Sequence, residues 1–192
     1  IYGTAEAVEG ISRERIFRYL SRMFHPDRIV VAAAGNLDHH HFLELVAPTL
    51  ETLNHPENSL KRATPVDHYQ LQVIPKELEQ VHVCMGMHGP AQTDDNRFRC
   101  HLLNVILGSS MSSRLFQEIR EKRALAYAIS SFLAPYGDTG MFNVYAGTAP
   151  RDVREVLRLI LDEMVRMQTT PLRVDEINGA KEFIKGNFLL SM

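Results

Sequence analysis

The chain has 192 residues, 45% of them hydrophobic, enough to bury a substantial core as one domain or two small ones. Its 21 basic and 23 acidic residues leave a net charge of −2 at pH 7, which supplies no field for nucleic acid or an anionic membrane surface. The longest apolar run, residues 29–34, is far too short to cross a bilayer, and only two cysteines, Cys84 and Cys100, argue against a disulfide-stapled secreted scaffold and favour a reducing, cytoplasmic compartment.

In chain order, Ser12 is a helix N-cap followed by Ile16, Phe17, Leu20, Met23 and Phe24 at helical spacing. His25-Pro26-Asp27 ends that helix, because proline disfavours helix in the residue before it. Residues 28–34 read as a buried strand closed by Gly35-Asn36. Asp38 caps a second helix with Phe42, Leu43, Val46, Leu50 and Leu53 inward. Pro48 should bend or interrupt it, since it removes a hydrogen bond and crowds the preceding turn. Prolines and polar residues without periodicity make 57–67 a linker between a first region, 1–56, and a second, 68–192.

Two alternating strands follow, one with Tyr69, Leu71 and Val73 on a face, the other with Val81, Val83, Met85 and Met87. Residues 94–107 read as a helix. The loop Gly108-Ser109-Ser110-Met111-Ser112-Ser113 then enters a short amphipathic helix with Ser112 or Ser113 as N-cap. Strands over 127–133 and 141–146 pair through Pro135-Tyr136-Gly137-Asp138. Thr148 caps the next helix, with Pro150, Asp152 and Glu155 early and Val153, Val156, Leu157, Ile160, Leu161, Met164 and Val165 in its buried stripe. A last helix runs from Val174 with no stop signal. Strands in hairpin-like pairs with helices in blocks between them make the fold class α+β with largely antiparallel sheets. The start at Ile1 and the unterminated last helix are read as those of a piece of a longer protein.

Arg120 and Tyr127 sit on either side of one helix-to-strand turn, where a cation and a phenol can converge. Taken alone, Arg120 is one cation among Arg114, Glu118, Glu121, Lys122 and Arg123, whose i,i+4 pairs usually only solvate a helix face. His82, Cys84, His88, Cys100 and His101 form a loose set whose spacing fits no zinc pattern; the alternation of His82, Cys84 and His88 makes them one face of a strand. His39-His40-His41 reads as a solvated helix start.

The run Ser112-Ser113-Arg114-Leu115-Phe116-Gln117-Glu118-Ile119-Arg120 through Tyr127 resembles the substrate-binding Arg/Tyr region of the M16 (pitrilysin, insulinase and mitochondrial-processing-peptidase-like) zinc metallopeptidases. The opening Ile1-Tyr2-Gly3, the Ala33-Ala34-Gly35-Asn36-Leu37-Asp38-His39 turn and the closing helices resemble the same family in the same order. The match covers nearly the whole chain and falls in the region often called the family's inactive domain. It implies an M16 metallopeptidase-like fold in which two α+β halves clasp a peptide, with 1–56 the tail of the first, metal-bearing half and 68–192 most of the second. It further implies that Arg120 and Tyr127 hold the substrate backbone and stabilise charge on the scissile carbonyl, at a bend facing a groove. Gly108, Ser109 and Ser110 would stand in the family's glycine-rich substrate loop, here with serines where glycines are common.

Family members hold zinc through an inverted His-x-x-Glu-His motif and a distant Glu. That motif would lie upstream of Ile1. The nearest imitation, His41-Phe42-Leu43-Glu44-Leu45, has Leu45 where the second imidazole is required. The resemblance therefore implies zinc in the full-length parent, ligands outside this chain, no catalytic residue here, and no hydrolysis by this piece alone. Its implied partners are a peptide and the missing half-chain or a partner subunit, and the isolated piece could form a homodimer through surface that half would cover. The rival reading is a non-catalytic M16-like scaffold or partner subunit. Retention of both Arg120 and Tyr127 favours the endopeptidase.

Overall fold

The structure, a computed structural model, describes residues 3–24, 26–53, 63, 65–66 and 68–191. Two compact units divide the chain, Ile1–Ala63 and Thr64–Met192. Ile1, Tyr2, His25 and most of the predicted linker lie outside the described residues.

The first unit is helical. Helix α1 (Ala5–Glu9) is capped by Thr4, and α2 (Arg13–Met23) by Ser12, whose hydroxyl accepts from the Arg15 amide at 3.3 Å. Asp38 caps α3 (His39–Glu51) by accepting from the His41 amide at 2.9 Å. Contrary to expectation, α3 runs on through Pro48 without interruption. The apolar stripe of α2 forms at helical spacing but stays exposed, as at Ile16, Phe17 and Phe24, and no residue of the three helices is buried. The predicted buried strand at 28–34 is also absent: a short 3-10 turn (Pro26–Arg28) leads into extended, exposed chain. A strand is stable only when its backbone groups find a ladder, and no described segment pairs with this one.

The second unit is built on a three-stranded antiparallel sheet, ordered β1 (Val81–Gly89), β3 (Gly140–Thr148), β2 (Ala126–Pro135). The register sets Val81 opposite Thr148, Met85 opposite Val144 and Gly89 opposite Gly140. Val83, Met85 and Met87 share the inner face, as their alternation predicts, while His82, Cys84 and His88 line the other. The other alternating run fails: Tyr69, Leu71 and Val73 are exposed and outside the sheet. Helix α4 (Asn96–Asn104) continues as a π-helical turn (Val105–Ser109). A second π-helical segment (Phe116–Glu121) precedes β2, and α5 (Val153–Thr169) and α6 (Val174–Leu190) close the unit.

One core cluster joins sheet to helices through Leu115, Ile119, Ile129, Val144, Val156 and Ile160; a smaller one packs Val105 and Ile106 against Ala180 of α6. Thr148 does not cap α5. It ends β3, buried, and α5 begins through a 3-10 turn (Pro150–Asp152) instead. The α+β class with an antiparallel sheet is thus the observed one.

Candidate substrate-binding site

The helix that carries Arg120 follows the serine loop and widens at Phe116–Glu121, where the Lys122 amide donates five residues back to the Gln117 carbonyl at 3.0 Å. Its exit turns on Ala124, at φ +53°, a left-handed conformation that costs a residue with a side chain roughly 1–2 kcal/mol. The Ala124 amide donates to the Arg120 carbonyl and the Leu125 amide to the Ile119 carbonyl, each at 3.0 Å. From the strand side, Thr148 Oγ1 donates to the Leu125 carbonyl at 2.5 Å. The reversal is therefore tied both to its own helix and to β3.

Strand β2 then opens on an irregularity. Ala126 faces Thr148, but it is Ala128 that faces Gly147, so Tyr127 is the extra residue of a bulge. Ala126 and Ile129 are consequently buried on the same face although three positions apart. The bulge breaks the period-two alternation and throws Tyr127 outward, 75% exposed.

These two devices bring Arg120 and Tyr127 together. Arg120 Cζ lies 5.4 Å from the Tyr127 ring centroid and 4.8 Å from that of Phe116, both within cation–π range. Its side chain is 40% exposed, and Glu121 Oε1 stands 4.0 Å from its Nε. Neighbouring cations are committed elsewhere. Lys122 Nζ bonds Glu118 at 3.0 Å and Arg123 contacts the same carboxylate, which together hold the Glu118 carboxyl below its usual range, Lys122 contributing most. Arg114 grips Glu176 of α6 through two hydrogen bonds of 2.8 and 2.9 Å. Among the described residues, the Arg120 guanidinium makes no hydrogen bond.

The serine loop is placed differently. Gly108 belongs to the buried π-helical turn rather than to the loop, and a Cβ there would stand 2.6 Å from the Ser131 amide nitrogen. That close approach to β2 explains why glycine stands there. Ser109 is exposed, and Ser110 lines a cavity of about 280 Å³ with Val105, Ile106, Ser112, Glu176 and Phe183. Neither Arg120 nor Tyr127 lines that cavity. Ser113, expected as a cap, is buried with its hydroxyl unpartnered among the described residues.

The Arg114–Glu176 pair escaped sequence reasoning, which took Arg114 for a surface cation. Glu163, buried on α5, stands 4.0 Å from Arg114 and 2.6 Å from Arg166. The missed signal was Glu176 and Glu163 on two later helices, invisible to an i,i+4 rule.

No three His, Cys, Asp or Glu side chains gather into a metal site among the described residues. His41 and Glu44 are 3.9 Å apart and exposed, with no second imidazole beside them. His82 Nδ1 lies 2.8 Å from the Tyr145 hydroxyl across β1 and β3, a strand-face contact. These residues do not fit zinc.

Residues 10–184 match the family model described as the peptidase M16 inactive domain. Over its full length the chain is 37% identical to 44% of an uncharacterised zinc protease of Streptomyces coelicolor, and 30% identical to 47% of YmxG, an uncharacterised zinc protease of Bacillus subtilis. The chain thus spans a little under half the length of these curated relatives. Its fold is similar to that of a peptidase M16 inactive domain from Pseudomonas fluorescens, with a TM-score of 0.83 at 21% identity over 97% of this chain and 46% of the other. A protease from Helicobacter pylori gives 0.80 at 20% identity, covering 97% and 47%.

Proposed function

This chain belongs to the peptidase M16 inactive-domain family, and we propose that it supplies the substrate-clasping part of an M16-type zinc endopeptidase, with Arg120 and Tyr127 gripping the peptide backbone. The observation that supports this reading is their convergence. A fixed helix exit and a bulge place a guanidinium with uncommitted N–H donors beside an outward phenol. An extended peptide presents carbonyl oxygens with no donors of its own side to satisfy them. Arg120 donates to such an oxygen, and the Tyr127 hydroxyl donates beside it. As the scissile carbonyl becomes tetrahedral its oxygen gains negative charge, and prepositioned donors hold that charge more strongly than they held the carbonyl. The open placement of the pair suits a site closed by a second half.

The hydrolytic chemistry that the relatives' names indicate, that of zinc proteases, is assigned to the part of the parent beyond this chain. Ser109 and Ser110 are proposed to approach the bound peptide. Gly108 serves them indirectly, by letting the preceding turn seat against Ser131.

The test is Arg120→Ala in the full-length protein, with cleavage of an extended peptide and thermal unfolding measured together. Removing a transition-state donor lowers turnover by about 10²–10³, while the melting temperature stays close to the parent's because the guanidinium makes no hydrogen bond among the described residues and only partly exposed ring contacts. A folded variant with unchanged cleavage overturns the reading.

A further inference from the structure

We infer that Phe116 is the positioning residue for Arg120, its ring setting where the guanidinium stands; this rests on the reading of Arg120 as the peptide-gripping group. Three side chains surround that guanidinium, and they differ in how firmly they are held. Tyr127 is largely exposed, and the Glu121 side chain is 53% exposed. Phe116 is partly buried and packs against the main core cluster around Leu115 and Ile119. It also gives the shorter of the two ring distances, 4.8 Å against 5.4 Å. Phe116 and Arg120 share one π-helical segment, so a single rigid turn carries both the wall and the group resting on it.

Contact through a ring face has a further consequence. A cation held by a π-cloud keeps its N–H donors for other acceptors, whereas a carboxylate would occupy them in a bidentate bond, as Glu176 does with Arg114. An anchored aromatic beneath Arg120 is therefore the support that fixes the guanidinium without consuming what it offers the peptide. Glu121, at 4.0 Å, is too distant to hydrogen-bond it.

The experiment compares Phe116→Leu, Phe116→Tyr and Arg120→Ala, and combines Phe116→Leu with Arg120→Ala, in the full-length protein, reading kcat/KM on one extended peptide alongside melting temperature. Phe116→Leu keeps apolar volume and removes the ring face, and lowers kcat/KM about two- to five-fold. Phe116→Tyr keeps the parent value. In the Arg120→Ala background Phe116→Leu lowers kcat/KM no further, because the residue it positions is gone. Should Phe116→Leu fail to fold, Phe116→Met takes its place. Parent-like kcat/KM for the ring-less variant, or an equal loss with and without Arg120, overturns the inference while leaving the grip itself intact. Unchanged kcat/KM for Arg120→Ala removes both.

Discussion

Within residues 114–123 the cations divide by partner. Lys122 and Arg123 share Glu118, and Arg114 reaches across to Glu176, while Arg120 rests on two rings. The i,i+4 rule anticipates Glu118–Lys122 but cannot separate Arg120 from Arg123, because both are cations within one short charged stretch. The resemblance singled out Arg120. Its physical ground, the ring beneath it and the bulge beside it, was not legible, since a bulge depends on how Ala126 and Ala128 of β2 register against Thr148 and Gly147 of β3. Ala124 is the residue-scale test of that turn. Ala124→Gly relieves the left-handed strain, partly offset by a looser unfolded chain, and should raise stability by up to about 1 kcal/mol in chemical denaturation. A loss of stability would mean that the turn does not hold this conformation.

At the scale of elements, strand and helix were readable wherever one face is buried by a neighbour that the chain itself supplies. The alternation of Val81 to Met87 became β1, and the stripe holding Val156 and Ile160 became α5, although Leu159, outside that stripe, is buried while Leu161 and Val165 within it are exposed. Equally strong apolar patterns at 28–34 and around Leu71 did not become strands, because a pattern proposes a face and only a ladder partner fixes it. Thr148 shows the same limit: its residue type suits both a strand end and a cap, and the choice lay with the Leu125 carbonyl.

Two contacts between elements carry predictions. Gly108→Ala forces a Cβ to 2.6 Å from the Ser131 amide nitrogen, and backbone cannot swing aside as a side chain could; we expect a loss of about 1–3 kcal/mol in denaturant unfolding. A variant as stable as the parent would show that the π-helical turn Val105–Ser109 and β2 are not in contact there. Arg114 holds the Glu176 carboxyl below its ordinary value of 4.5, chiefly through their hydrogen bonds. A depressed folded pKa stabilises fully above the ordinary value and fades as pH falls through the lowered one. Glu176→Gln should therefore cost about 2 kcal/mol at neutral pH and less in acid, seen as a flatter acid limb of stability against pH. Parallel pH profiles for variant and parent would contradict this.

For the whole molecule, the second unit carries the buried core, whereas no residue of the first unit's three helices is buried and Phe42, Val46 and Leu50 are only half-buried. On the proposed function the metal is held outside this chain. Zinc loading of this chain should give well under one tightly held ion per molecule; a stoichiometric ion would locate a metal site where no ligand set gathers among the described residues.

The most direct measurement is a double-mutant cycle on peptide cleavage by the full-length protein, using Arg120→Ala, Tyr127→Phe and the pair. If both groups hold the same stretch of backbone, each single change lowers kcat/KM. The double variant is then little worse than the poorer single one, a coupling of about 1–3 kcal/mol. Strictly additive losses, or cleavage unaffected by either change in a folded protein, would contradict the account.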